Sequence, residues 1–330
     1  MIAAAPAPGV IDVHAHWLPR HLFDLPGDAP HGRMHDRDGQ LFLGDLALSI
    51  ATEAMSDVDA IRADMRRADV GVRVLSAPPF AFPTAPGPEA DSYVAAFNDA
   101  LTEVVARADG ALLGLGLVSL ADPAAVSSQL EILARTEGIA GVAIPPLLGA
   151  QSLDGPALGH VLREAARLDL AVLVHPMQLP RPEWSAYYLN NLIGNPVESA
   201  TAVASLILSG LKDELPNLRI CFVHGGGCAP GLLGRWTHGW RARADVRAGN
   251  TRTPDEVFGE LFFDTVTHGA AQLALLSNVA GTDRVVCGSD YPFDMADADP
   301  ARFAVEHGPG RESLIRAAAT YLGVTTRSKE

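Results

Sequence analysis

Eight short apolar runs rich in β-branched residues recur along the whole chain, each followed by a stretch of Ala, Leu, Glu and Arg with helical character. That alternation calls for parallel strands joined by helical crossovers, because two parallel neighbours cannot be linked by a tight turn. The runs are VIDVHAH (10–16), VRVLSAPP (72–79), LLGLGLVSL (112–120), GVAIPPL (141–147), AVLVHP (171–176), RICFVHGGG (219–227), LFFDTV (261–266) and RVVCGSDYP (284–292). Helices are expected between them, among others over 92–108, 159–168 and 197–215. The 330 residues would allow two average domains, but eight units without a Gly-rich linker predict one α/β (β/α)8 TIM barrel over residues 1–330. A doubly wound open sheet would want a nucleotide fingerprint, and in GLGLVS (114–119) Ser119 stands where the third glycine belongs.

Residues 17–56 break the rhythm. They are polar, rich in Gly, Pro and His, and too long for a βα loop, so a small insertion over the barrel mouth is expected there. The segment from about residue 300 reads as helical and would pack beneath the barrel or swap with a neighbour.

The formal charge of −14 disfavours nucleic acid, whose phosphates an acidic surface repels, while leaving a locally positive site for a small substrate possible. Three cysteines without a CxxC pair indicate neither a disulfide framework nor a cysteine zinc site. MIAAAPAPGV lacks the basic start and the apolar length of a signal peptide, and TAVASLILSG is far short of the roughly 20 residues a bilayer needs. A cytoplasmic protein with no membrane partner is the expectation.

The chemistry starts in IDVHAH (11–16). In a helix His14 and His16 would diverge; in a strand, which Ile11 and Val13 favour, both point to one side, roughly 7 Å apart at about 3.3 Å per residue. Both can then turn toward one ion. The fifth run ends in His175, the sixth in His224 and the eighth in Asp290, all at carboxyl ends of strands, where barrel enzymes build their sites. Parity sends Cys221 and Cys287 away from the interior if His224 and Asp290 face it, and leaves Cys228 in a loop. His21, His31, His35, His160, His238 and His307 fall in helices or in the insertion, where solvated or capping roles are expected. His268, just past the seventh run, is kept as a substrate or supporting contact, as is Phe293 after the eighth. HGGG (224–227) looks like an esterase oxyanion loop, yet no G-x-S-x-G nucleophile elbow exists in the chain.

His-x-His on strand one, His on strands five and six and Asp on strand eight resembles the pattern of the amidohydrolase superfamily. Within it the chain is similar to the branch that holds α-amino-β-carboxymuconate-ε-semialdehyde decarboxylase, through IDVHAHWLP, LVHP, YYLNNLIGNPVES, LPNLRICFVHGGG, LLGRWTHGW and GSDYPF. The resemblance implies one divalent ion, zinc before manganese, held by His14, His16, His175 and Asp290. It implies that His224 is a catalytic acid/base beside Asp290, and that Arg235 reaches into a neighbouring subunit to grip a substrate carboxylate, hence a homodimer.

The departures bear on the substrate. The family enzyme carries a second carboxylate-gripping arginine before its second strand; here Ser49 or a neighbour in DLALSIATEAM stands there, and no arginine occurs between Arg37 and Arg62. Met177 and Asn191 replace pocket aromatics. Serine cannot reproduce the bidentate, charge-assisted grip of a guanidinium, so the chemistry is expected to persist on a different acid. A bound divalent ion lowers the pKa of its water from 15.7 toward about 7. The leading expectation is therefore nonoxidative decarboxylation of an unsaturated or aromatic carboxylic acid, using that ion, its water and His224. The alternative is metal-dependent hydrolysis or hydration of a lactone or ring-cleavage product.

Overall fold

The computed structural model describes residues 9–24, 33–83, 87–120, 122–178 and 181–325. Its strands are β1 (Val10–His16), β2 (Met34–Arg37), β3 (Gln40–Leu43), β4 (Leu46–Ala51), β5 (Val70–Ser76), β6 (Leu112–Gly116), β7 (Ile139–Ile144), β8 (Ala171–Val174), β9 (Arg219–Phe222), β10 (Phe262–Asp264) and β11 (Val285–Val286). Eight of them form one sheet in the order β1-β5-β6-β7-β8-β9-β10-β11, every pair parallel. The sheet closes on itself: the Val13 N–H donates to the Cys287 carbonyl at 2.9 Å and the His16 N–H to that of Tyr291 at 2.7 Å. All eight expected strands are present, and the (β/α)8 barrel stands.

The helices are α1 (Thr52–Ser56), α2 (Val58–Arg67), α3 (Pro88–Ala106), α4 (Pro123–Arg135), α5 (Pro156–Arg167), α6 (Asn195–Leu208), α7 (Leu211–Glu214), α8 (Ala229–Ala242), α9 (Pro254–Phe258), α10 (Ala270–Ala280), α11 (Pro300–His307) and α12 (Arg311–Leu322). Their starts are written in the chain. Asp122 accepts the Ala124 and Ala125 N–H groups ahead of Pro123, and Thr253 and Glu256 form a reciprocal capping box. In α5 the buried Leu158, Val161, Leu162 and Ala165 recur at helical spacing and lay one face on the sheet. Strands covered on both sides need no polar face, and β7 is buried at all six positions.

The stretch expected as one helix over 197–215 is two. Gly210 adopts φ 80° between α6 and α7, and a side chain there would run into the Gly249 carbonyl, so the backbone turns at that glycine. The insertion contains a three-stranded antiparallel sheet, β2-β3-β4, whose first hairpin turns through Asp38 and Gly39, both at positive φ. The terminal segment packs on its own barrel, α12 lying against β1 and β11. Among the described residues no helix is long and apolar enough to cross a membrane. Cys221 and Cys287 are buried core residues and Cys228 is half-buried ahead of α8, all three as free thiols. His21, His35, His160, His238 and His307 lie in helices or in the insertion sheet, while His31 is outside the described residues.

Candidate metal centre

Strand pleating delivers the centre. His14 and His16 lie on the same side of β1, and His175 and Asp290 follow β8 and β11 at the same rim; all four are buried. One atom from each, taken together, lie within 4.8 Å of one another. Asp290 Oδ1 is the hub, 3.1 Å from His14 Nε2, 3.2 Å from His16 Nε2 and 3.8 Å from His175 Nε2.

The other nitrogen of each ring is already committed. His14 Nδ1 donates to Asp264 at 2.6 Å, His16 Nδ1 to the Ala77 carbonyl at 3.2 Å and His175 Nδ1 to the Pro176 carbonyl at 2.7 Å. With the protons held on Nδ1, three Nε2 lone pairs and a carboxylate oxygen face one point, and His14 Nε2 and His175 Nε2 have no hydrogen-bond partner. Four acceptors without a donor repel one another; a divalent cation is the species that resolves them, and three imidazoles plus one carboxylate suit it.

With no ion in place, a proton on His14 does part of that work. Burial opposes charging of His14, but Asp290 and Asp264 overturn that and hold it at about 10. Burial pushes His175 down to about 3 and lowers His16, with Asp290 only partly compensating. Against its own burial, Asp290 is kept well below the usual carboxylate range by His14, His16 and His175. The pocket therefore attracts positive charge toward the Asp290 side.

His224 stands just outside this set. Its Nε2 is 3.3 Å from Asp290 Oδ2, the oxygen the other three rings do not share, and its Nδ1 is buried without a partner. It follows β9 at φ 54°, with Gly225, Gly226 and Gly227 all at positive φ behind it. A side chain on Gly227 would run into the Pro196 carbonyl, so HGGG is the turn that lets His224 face the rim while the chain passes close under α6. Its Gly225, Gly226 and Gly227 N–H groups donate to Asp264, Val223 and His224, so the loop presents no unspent N–H for an oxyanion.

Two residues that matter here were missed in the sequence. Asp264, the last residue of β10, orients His14 and with its other oxygen accepts the Gly225 and Val266 N–H groups, so it ties the first ligand to the His224 turn. Against its burial, the His14 contact keeps it ionised. Asp12 shares the parity of His14 and His16 and lies a layer deeper. It pairs with the fully buried Arg73 at 2.8 Å and takes the Ser289 N–H at 3.0 Å and hydroxyl at 2.7 Å, bracing the turn that carries Asp290. Both could have been found: each is a carboxylate on the inward parity of a strand already quoted.

Two cavities open on the centre and share Asn191, Asn195, His224, Asp290 and Met295. One, of about 390 Å³, runs past Pro196, Gly231 and His268. The other, of about 200 Å³, lies against the insertion sheet, walled by Leu43, Leu46, Leu48, Phe80, Met177 and Phe293. Phe293 packs edge-on to His16 at 5.1 Å. Of the expected substrate contacts, Phe293 and His268 thus border the cavities, whereas Arg235 is exposed on α8, makes no ion pair among the described residues and lines neither cavity.

A family model described as "Amidohydrolase" matches residues 11–317. The chain belongs to the amidohydrolase family. It is 29% identical to 2-amino-3-carboxymuconate-6-semialdehyde decarboxylase of Dictyostelium discoideum over 301 residues, 88% of this chain and 84% of that one. It is 26% identical to gamma-resorcylate decarboxylase of Rhodococcus jostii (strain RHA1), over 60% of this chain and 65% of the relative. The fold is shared with 5-carboxyvanillate decarboxylase from Sphingomonas paucimobilis at TM-score 0.81 and 22% identity, covering 97% of this chain and 100% of the other.

Proposed function

We propose that this protein is a metal-dependent nonoxidative decarboxylase of an unsaturated or aromatic carboxylic acid. The observation that carries the reading is the arrangement around Asp290: one oxygen gathers three imidazole lone pairs, and the other holds His224 at the edge of both cavities. The names of the relatives, decarboxylases of a carboxymuconate semialdehyde and of gamma-resorcylate, support the same reaction class.

His14, His16, His175 and Asp290 would hold the ion. When bound, a divalent cation supplies Lewis-acid stabilisation of negative charge developing on a substrate oxygen. We take zinc as that ion because three of the four donors are imidazoles; the manganese named with a 5-carboxyvanillate decarboxylase structure from Novosphingobium aromaticivorans makes manganese the alternative to measure. The protein's own work is proton transfer and positioning. His224 and Asp290 Oδ2 share a proton site at 3.3 Å. As the bond between the substrate carbon and its carboxylate breaks, the electron pair stays on that carbon, CO2 leaves, and His224 delivers the proton that takes its place. Asp264 and the Asp12–Arg73 pair keep the rings and the Asp290 turn from shifting during that transfer.

We further propose a homodimer in which Arg235 of one copy anchors the carboxylate in the other. Among the described residues lining the two cavities there is no lysine or arginine, so an acid bound there lacks a cationic side chain from its own chain. Leu192 and Leu275, which border the larger cavity, are 48% and 43% exposed beside the exposed Tyr187 and Ile193, an apolar rim suited to cover by a second copy. The three free thiols accord with the reducing cytoplasm we propose as its location.

The test is mass spectrometry of a panel of unsaturated and aromatic acids and lactones after exposure to metal-loaded protein. Loss of CO2 from an acid is expected. Gain of water without loss of CO2 would replace the proposal with the hydrolytic reading.

A further inference from the structure

The two cavities meet at Asn195, the first residue of α6, which is 6% exposed and borders both. Its Oδ1 is buried with no hydrogen-bond partner. Native structures seldom leave a buried amide oxygen unmet, so a hydrogen-bond donor is owed to it. The surroundings explain what kind of ligand would meet it. The chamber against the insertion sheet is apolar on the side of Leu43, Leu48, Phe80 and Phe293, and its one carboxylate besides Asp290 is Asp294. Its described lining offers no lysine or arginine to pair a second anionic group of a substrate, only neutral side chains, His175, His224, Asp290 and Asp294.

We infer that Asn195 is a specificity-determining residue that reads an uncharged hydrogen-bond donor, a hydroxyl or an amine, on the body of a monocarboxylic acid. The inference rests on the decarboxylase reading and says which acids that reaction takes. The donor meets the Asn195 oxygen at the junction of the cavities, the hydrocarbon body fills the chamber, and a second carboxylate is disfavoured because Asp294 repels it and no lysine or arginine of the same chain lines the chamber to offset its desolvation.

The experiment compares kcat/KM of the zinc-loaded protein for three matched unsaturated or aromatic acids: one bearing a hydroxyl, the same acid with that hydroxyl replaced by hydrogen, and the same acid with a carboxylate in its place. The hydroxy acid is expected to exceed the deoxy acid by about tenfold and the diacid by more. In Asn195→Leu the hydroxy-to-deoxy ratio should collapse toward one, chiefly through KM of the hydroxy acid, while turnover of the deoxy acid is largely kept. A merely structural role would lower both acids together and leave the ratio, and that result overturns the inference, as does a preference for the diacid. If Asn195→Leu does not fold by circular dichroism and metal content, Asn195→Ser, which keeps a polar partner, should retain part of the ratio; a ratio unaltered from wild type after shortening the side chain counts against the inference. If none of the acids loses CO2, the decarboxylase reading itself fails, a different outcome from a diacid being the better substrate.

Discussion

The rim of the barrel and the chamber under the insertion sheet lie against each other and follow opposite rules. At the rim, His14, His16, His175 and Asp290 are buried polar groups; Asp264 and two backbone carbonyls hold the Nδ1 atoms of the rings, and the Asp12–Arg73 pair braces the turn that carries Asp290. In the chamber, Leu43, Leu46, Leu48, Phe80 and Phe293 make an apolar wall, part of it carried by a small antiparallel sheet outside the barrel. Reactive groups mounted on strand ends are fixed by the whole barrel, whereas a wall mounted on an insertion can change residue by residue without disturbing them. The difference separates the groups proposed to react, carried on the strand ends, from the apolar wall that faces them, carried in part by the insertion.

The comparison breaks first at His224. His224→Ala should lower kcat by about 10²–10⁴-fold while metal content by elemental analysis stays at the wild-type value; loss of the metal would make His224 a ligand instead. Next comes the brace. Arg73→Leu strands the buried Asp12 carboxylate and should cost about 3–5 kcal/mol of stability in urea unfolding, and an effect within about 0.5 kcal/mol would show that the pair does not support the rim.

Asp264→Asn should weaken metal affinity by about 10–100-fold in a chelator competition, since His14 then loses its charged partner. An unchanged affinity would put Asp264 outside the metal's support. Arg235→Ala should raise KM by roughly tenfold. Assayed well below KM, where that variant alone keeps about a tenth of the wild-type rate, an equal mixture with His224→Ala should rise to about a quarter, because half the dimers pair unlike chains and each of those holds one intact site. No recovery would place Arg235 outside the neighbour's site.

The smallest effect lies at the far end of the barrel. Burial lowers the Lys212 ammonium against the pull of Glu260. A folded-state value below the unfolded one means that the native protein holds fewer protons in that window, so stability rises with pH from the lowered value toward about 10.4. Lys212→Met should flatten the rise in urea midpoints measured across that range, and an unaltered slope would assign it elsewhere.

Much of the rim was legible because strand parity and strand ends are periodic signals: IDVHAH alternates two histidines with apolar residues, and LVHP, FVHGGG and GSDYP put His175, His224 and Asp290 just past apolar runs. Asp12 and Asp264 obey the same rule and were passed over because each sits inside an apolar run, where a lone carboxylate reads as noise until its partner, Arg73 or His14, is known. The break at Gly210 was hidden by continuous helical composition on both sides of one left-handed residue. The role of Asn195 could not be read at all, since the meeting of two cavities at its side chain is a property of packing between α6, the β10 loop and the insertion.

The most direct test of the account is a zinc titration of chelator-stripped protein that follows CO2 release from an accepted acid. The account predicts no release without metal and full release at one ion per chain. Turnover that is complete before any metal is added, or protein that retains no ion at saturating zinc, would contradict it.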